Sequence, residues 1–234
     1  MGCDIHMWAE VKKTYPNPKV KPAWRTVGRV FKDDYYSKNN TPTLDIDGYE
    51  WNKKFTEEPY GGRNYNLFGF LANVRNGFGF AGVDTGNEIK PISLPKGLPK
   101  DVSDYIKKQS DDWGVDGHSH SWLTIEELEK ADWDKVITKR GVVSEAQYKY
   151  YLKHGKPRSL SGDVCGGNII VLTEKEYKQL KKKDKDKRYF VKIEWKDKLK
   201  EYCGDFYKKT LPALRKLLEN TDVSDVRIVF LFDN

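Results

Sequence analysis

From Cys3 to Val11 apolar and polar side chains alternate, with Cys3, Ile5, Met7, Ala9 and Val11 on one side and Asp4, His6, Trp8 and Glu10 on the other. A period of two is the signature of a strand whose faces differ chemically. A Pro-rich connection follows, and residues 23–31, AWRTVGRVF, are expected to form the antiparallel partner. Two short strands are predicted over NIIVLT (168–173) and RYFVKIEW (188–195). The closing run VRIVFLFDN (226–234) is nearly all apolar, as in a central strand buried on both faces, and it ends in Asp233 and Asn234.

Helical spacing marks the intervening segments. Leu67, Phe68, Leu71 and Val74 recur on one helix face, with Asn64 as cap and Asn76-Gly77 as stop. A helix capped by Asp101 runs to Trp113, and another begins after Thr124, whose capping box is completed by Glu127. Ser144 with Gln147 and Thr173 with Glu176 repeat that pattern, and the helical stretch 197–220 is expected to kink or restart at Pro212. The fold class is therefore α+β: an antiparallel or mixed sheet of about five strands including both chain termini, with helices packed on it and long aromatic loops. The expectation is a single domain over 1–234, within which residues 32–62, aperiodic but dotted with Tyr and Trp, form a loop-rich insertion read as a cover.

Composition narrows the function classes. Of 234 residues 33% are charged and 13% aromatic, and the net charge of +7 suits anionic ligands. Much of the lysine lies in the run KKKDKDKR, Lys181 to Arg188, read as a solvated helix end and turn, so a nucleic-acid polymer is a disfavoured partner. Cys3, Cys165 and Cys203 are widely spaced without a CxxC, which fits a reduced cytoplasmic setting, and no run is apolar enough to span a membrane. Gly2 is followed by His6 rather than Ser or Thr at the position an N-myristoylation signal requires. Cys3, on the apolar side of its strand, reads as core rather than nucleophile.

The densest chemistry is WGVDGHSHSWLTIEE, Trp113 to Glu127, which sets Asp116, His118, Ser119 and His120 on a glycine-flanked loop running into a helix. HxH spacing puts His118 and His120 on the same side of an extended segment. If the first and last strands are antiparallel neighbours, Asp4 and His6 come beside Asp233. Arg63 and Arg75 bracket a helix and supply charge-assisted donors for phosphate oxygens, while the Trp and Tyr rings offer faces for base stacking. The glycine-rich GFGFAG (77–82) lacks the context of a phosphate cradle and reads as a mobile loop.

The expected activity is binding of a small phosphorylated, nucleotide-derived ligand. His6, Arg63, Arg75, His118, Ser119 and His120 would contact it, and Asp116 and Asp233 would fix imidazole tautomers or donors. No cofactor is assigned, and no metal set is assigned to the binding reading. One alternative is a metal- or His-dependent phosphodiesterase using the same groups, and another is a protein-binding inhibitor acting through the aromatic loops. Homo-oligomerisation is left open.

The segments MGCDIH, RNYNLFGFLANVR, KGLPKDVSDY, DGHSHSWLT and VRIVFLFDN, in this order, resemble a family of uncharacterised small proteins of bacteria and phages. The resemblance spans nearly the whole chain and carries no established activity. By analogy it implies a phage protein acting in the host cytoplasm in anti-defence, sequestering or hydrolysing a cyclic-nucleotide-type immune signal.

Overall fold

The computed structural model describes residues 2–27, 58–79, 88–161 and 164–233. Residues 32–57 of the expected cover and residues 80–82 of the glycine-rich segment lie outside the described residues. The chain gathers into two compact units, one of residues 1–84, 88–133 and 200–234, the other of 85–87 and 134–199. The α+β class holds, with strands at both ends of the chain. Among the described residues the strands number seven, divided between two sheets rather than joined in one of about five.

The first unit is built on a four-stranded antiparallel sheet. Its strands are β1 (Ile5–Lys13), β2 (Ala23–Thr26), β3 (His118–Thr124) and β7 (Val223–Phe232), in the order β2-β1-β7-β3. The apolar run at the carboxyl end becomes the central β7, where every residue from Val226 to Phe232 is buried. Helix α1 (Tyr65–Ala72) starts at Asn64, whose side chain accepts the Leu67 N–H. It stops at Asn73, in the left-handed region with φ 60°, three residues before the expected Asn76-Gly77. Asn76 instead grips Ile89 through both of its backbone groups.

Helix α2 (Asp104–Trp113) packs Ile106, Tyr105 and Trp113 onto Trp8, Val229 and Leu231. This covers the side of β1 that alternation assigns to polar residues. Both faces of the sheet are thus occupied, and Trp8 and Glu10 are as buried as Ile5 and Met7. Glu10 has Arg227 as its partner, with Nε 2.6 Å from Oε2, and the Arg227 guanidinium lies 3.9 Å from the Trp24 ring centre. After α3 (Ile125–Lys130), fixed by the expected Thr124–Glu127 capping box, the chain enters the second unit.

That unit carries a three-stranded sheet of β4 (Val136–Ser144), β6 (Arg188–Lys198) and β5 (Ile169–Thr173), in that order. β4–β6 is antiparallel and β5–β6 parallel. Helices α4 (Glu145–His154) and α5 (Glu174–Gln179), begun by Ser144 and Thr173, pack Tyr148, Tyr151 and Tyr177 on Val143, Val191 and Ile193.

The chain returns through α6 (Leu199–Tyr202), a π-helical turn (Phe206–Thr210) and α7 (Leu211–Leu217). Pro212 cannot donate a backbone hydrogen bond, and the turn before it loosens so that Leu211 N–H reaches back to Phe206 O. The restart expected at Pro212 takes this form.

Candidate functional site

β1 and β7 are antiparallel neighbours in the register Ile5↔Phe232 and His6↔Leu231, so the start of one strand lies beside the end of the other. Asp233 N–H donates to Asp4 O (3.2 Å), and its carboxylate turns back across the strand to accept the Asp4 N–H at Oδ1 (2.8 Å). The other oxygen, Oδ2, stands 3.4 Å from His6 Nε2, and Glu58 Oε1 is 3.0 Å from His6 Nδ1. The imidazole is thus held at both nitrogens by carboxylates and lies against the Trp113 ring, with centroids 4.1 Å apart. Burial pulls its pKa down, but the hydrogen bonds and charges of Glu58 and Asp233 outweigh it, and the net displacement is upward.

Asp4, beside His6, grips Arg63 in a fork: Nε donates to Oδ1 at 2.7 Å and Nη2 to Oδ2. The Arg63 hydrogen bonds hold the Asp4 carboxyl below its ordinary range and raise the guanidinium in turn. Next to them Cys3 N–H donates to the Tyr65 hydroxyl (3.2 Å), and Arg75 sits 5.8 Å from the Tyr65 ring centre. Burial raises the Cys3 thiol despite the lowering influence of Arg75, which agrees with a core thiol. Arg75, like Ser119, has a backbone in the left-handed region, with φ 52° at each.

The segment holding His118 and His120 is strand β3 rather than a loop. His118 is opposite Phe232 and Ser121 opposite Phe230, so one more residue is spent on β3 than on β7. This is a β-bulge, with Ser119 at its positive φ. The extra residue reverses the alternation, and the expectation that HxH places both rings on one side is overturned. His118 shares a face with Ile5 and Phe232 and stacks on Phe232 at 6.2 Å between centroids, its Nδ1 2.9 Å from Ser119 Oγ. His118 Nε2 is buried and has no hydrogen-bond partner among the described residues.

His120 turns to the α2 side, where its Nε2 is 2.8 Å from Ser110 Oγ. Burial lowers its pKa, and His118 lowers it further. Asp116 is exposed, and its N–H closes a turn on Trp113 O.

The structure therefore brings His6 and Asp233 into contact and Arg63 beside them through Asp4. Arg75 lies next to Cys3 at the start of β1, and His118 with Ser119 stands beside Phe232. It does not bring Asp116 or His120 into that group. Glu58 is the partner that sequence reasoning missed: it lies in an aperiodic stretch where no spacing signals a contact with a strand 52 residues away. Among the described residues, no three His, Cys, Asp or Glu side chains are arranged to hold a metal ion. A cavity of about 310 Å³ lies at the other end of β1, bounded by Lys12, Trp24, Arg25, Asp101 and Ser103, and contains none of the candidate residues. No protein-family model, curated protein or solved structure matches the chain.

Proposed function

We propose that the start of β1 and the end of β7, with Arg63, Arg75 and His118, bind a small phosphorylated, nucleotide-derived ligand. The observation that carries this reading is His118 Nε2, a buried nitrogen without a protein partner among the described residues. Leaving such a group unmatched costs about 1–3 kcal/mol, and a ligand oxygen or amide would remove that cost. Other groups at the same ends of β1 and β7 suit such a ligand. His6 is biased toward its cationic form, and Arg63 gives Asp4 its Nε and Nη2, so among the described residues its Nη1 is left for a phosphate oxygen. Trp113 and Tyr65 supply ring surface at the edge of the group.

The test is a panel of mono-, di- and cyclic nucleotides scored by melting temperature, followed by denaturation and chromatography of the released ligand. A ligand bound by the native state alone must raise the melting temperature, by about 2.7 kcal/mol of stability at a hundredfold excess over Kd. His118→Phe keeps a ring on Phe232 and removes Nε2, so the ligand-induced rise should fall or vanish. If no nucleotide moves the wild-type transition, the reading fails.

One arrangement favours hydrolysis over simple binding. A carboxylate at each nitrogen of His6 favours its protonated form, and the longer contact, 3.4 Å from Nε2 to Asp233 Oδ2, is the one a leaving oxygen would replace to take the proton. Recovery of a cleaved nucleotide in the chromatography, abolished by His6→Asn, would establish that reading. Recovery of intact ligand alone would dismiss it.

A further inference from the structure

The net charge of the chain is not shared between its two units. Residues 134–199 hold 18 Lys and Arg against 9 Asp and Glu, a net +9 where the whole chain has +7, so the rest of the protein is slightly acidic.

Within the second unit most acidic side chains are committed to its own helices and strand ends. Glu174 accepts from the hydroxyls of Tyr148 (3.1 Å) and Tyr151 (3.3 Å), Glu145 from Tyr177 and Lys183, and Glu176 closes its capping box. Glu174 also lies 3.6 Å from Lys178, yet nine carboxylates cannot match eighteen cations. The positive charge is left in excess.

Part of that excess is ordered on one surface. The two sides of β6 alternate: Tyr189, Val191, Ile193 and Trp195 face α4 and α5, while Arg188, Lys192, Lys196 and Lys198 point the other way with Glu194. The register adds Arg140 of β4 opposite Glu194, and Thr138 and Thr173 opposite Lys196 and Lys192. All five cationic residues are exposed. Glu194 is taken by Arg140 (2.9 Å), and Lys198 by Asp134 (2.8 Å). Arg188, Lys192 and Lys196 follow one another at four-residue steps, about 13 Å each along a strand.

We infer that the open face of the β4–β6–β5 sheet docks the phosphate backbone of a nucleic acid. Lys and Arg in a row match the contacts that position phosphates without reading bases; the Thr173 hydroxyl beside Lys192 is held by Glu176 in the capping box of α5. The aromatic ring on this face, Phe190, is buried beneath the Arg188 guanidinium, so neither base stacking nor insertion into a bilayer is provided for. Binding is therefore sequence-independent and steeply salt-dependent. The sequence expectation that disfavoured a polymer weighed the lysine run alone, and the sheet adds a separate row of cations on β6. This inference is independent of the nucleotide site.

The experiment measures anisotropy of a labelled duplex of about 20 base pairs, and of one of its strands, with the full chain at about 50 and 200 mM salt. The variant Arg188→Glu/Lys192→Glu/Lys196→Glu should bind either form at least tenfold more weakly, and its salt slope on duplex should be shallower by about 0.9 for each phosphate it no longer neutralises. A control with the same change of charge on the helices, Lys149→Glu/Lys153→Glu/Lys175→Glu, should weaken binding less than threefold. All six positions are exposed, so both variants should melt within a few degrees of wild type. The inference is overturned if wild type does not bind at about 50 mM salt, or if the two variants lose equal affinity. It is also overturned if phosphatidylserine vesicles capture the protein through the same three residues more tightly than either nucleic acid.

Discussion

His6 and His120 lie on the same side of the first sheet and are displaced in opposite directions, His6 upward from its ordinary 6.5 and His120 downward from the same value. For His6 the stabilisation is complete below pH 6.5 and disappears as the pH rises through its folded value. For His120 it is complete above pH 6.5 and is lost as the pH falls through its folded value. Melting temperatures recorded from pH 5.5 to 8.5 should show His6→Asn closing its gap to wild type on the alkaline side and His120→Asn closing its gap on the acid side. Profiles parallel to wild type would contradict the assignment.

Ser119 gives a second expectation at this scale. Its φ of 52° costs a β-branched residue about 1–3 kcal/mol, so Ser119→Val should lower the melting temperature by roughly 3–10 °C, whereas Ser119→Gly should leave it nearly unchanged.

Between elements, one buried tie of the first unit is polar. Arg227 on β7 bonds Glu10 on β1 and Asp101 before α2, while Glu10 also receives the Ser103 N–H. Glu10 is fully buried and Arg227 only 3% exposed. Removing one partner strands the other, so Arg227→Met should cost about 3–5 kcal/mol in denaturant unfolding, and adding Glu10→Met should recover most of it. If the double variant is no better than the single one, the pair is not the source of the loss.

None of this network was legible in the sequence. Alternation identified β1 and set Glu10 opposite the core, but it carries no information about a second layer, and α2 fills that side. β7 was legible because a central strand is apolar throughout. β3 and β4 were not. HSHSWLT presents small and polar residues at both parities until Trp122, and VITKRGVVS interrupts its alternation with charges and a glycine. The meeting of His6 and Asp233 followed from strand pairing alone, whereas the parting of His118 from His120 depended on one inserted residue, which no local spacing announces.

At the scale of the whole molecule, residues 85–87 apart, the chain enters the second unit after Trp133 and leaves it before Lys200. On one side of the crossing Leu199 N–H donates to Lys135 O (2.9 Å), and on the other Lys200 N–H donates to Trp133 O (2.9 Å). The outgoing and returning backbones therefore run side by side, as they do where one module has been spliced into a surface turn of another. The sequence, read for one core, showed the excess charge of residues 134–199 only as a local lysine run and not as a boundary. Replacing residues 135–198 by a short Gly-Ser bridge should yield a chain that keeps the β2-β1-β7-β3 sheet and any nucleotide-induced thermal shift while losing affinity for duplex. Circular dichroism, the thermal assay and anisotropy would follow these three properties. The crossing thus makes the basic module portable: grafted through the same two adjacent ends, it could be carried by a different host as an independent cassette.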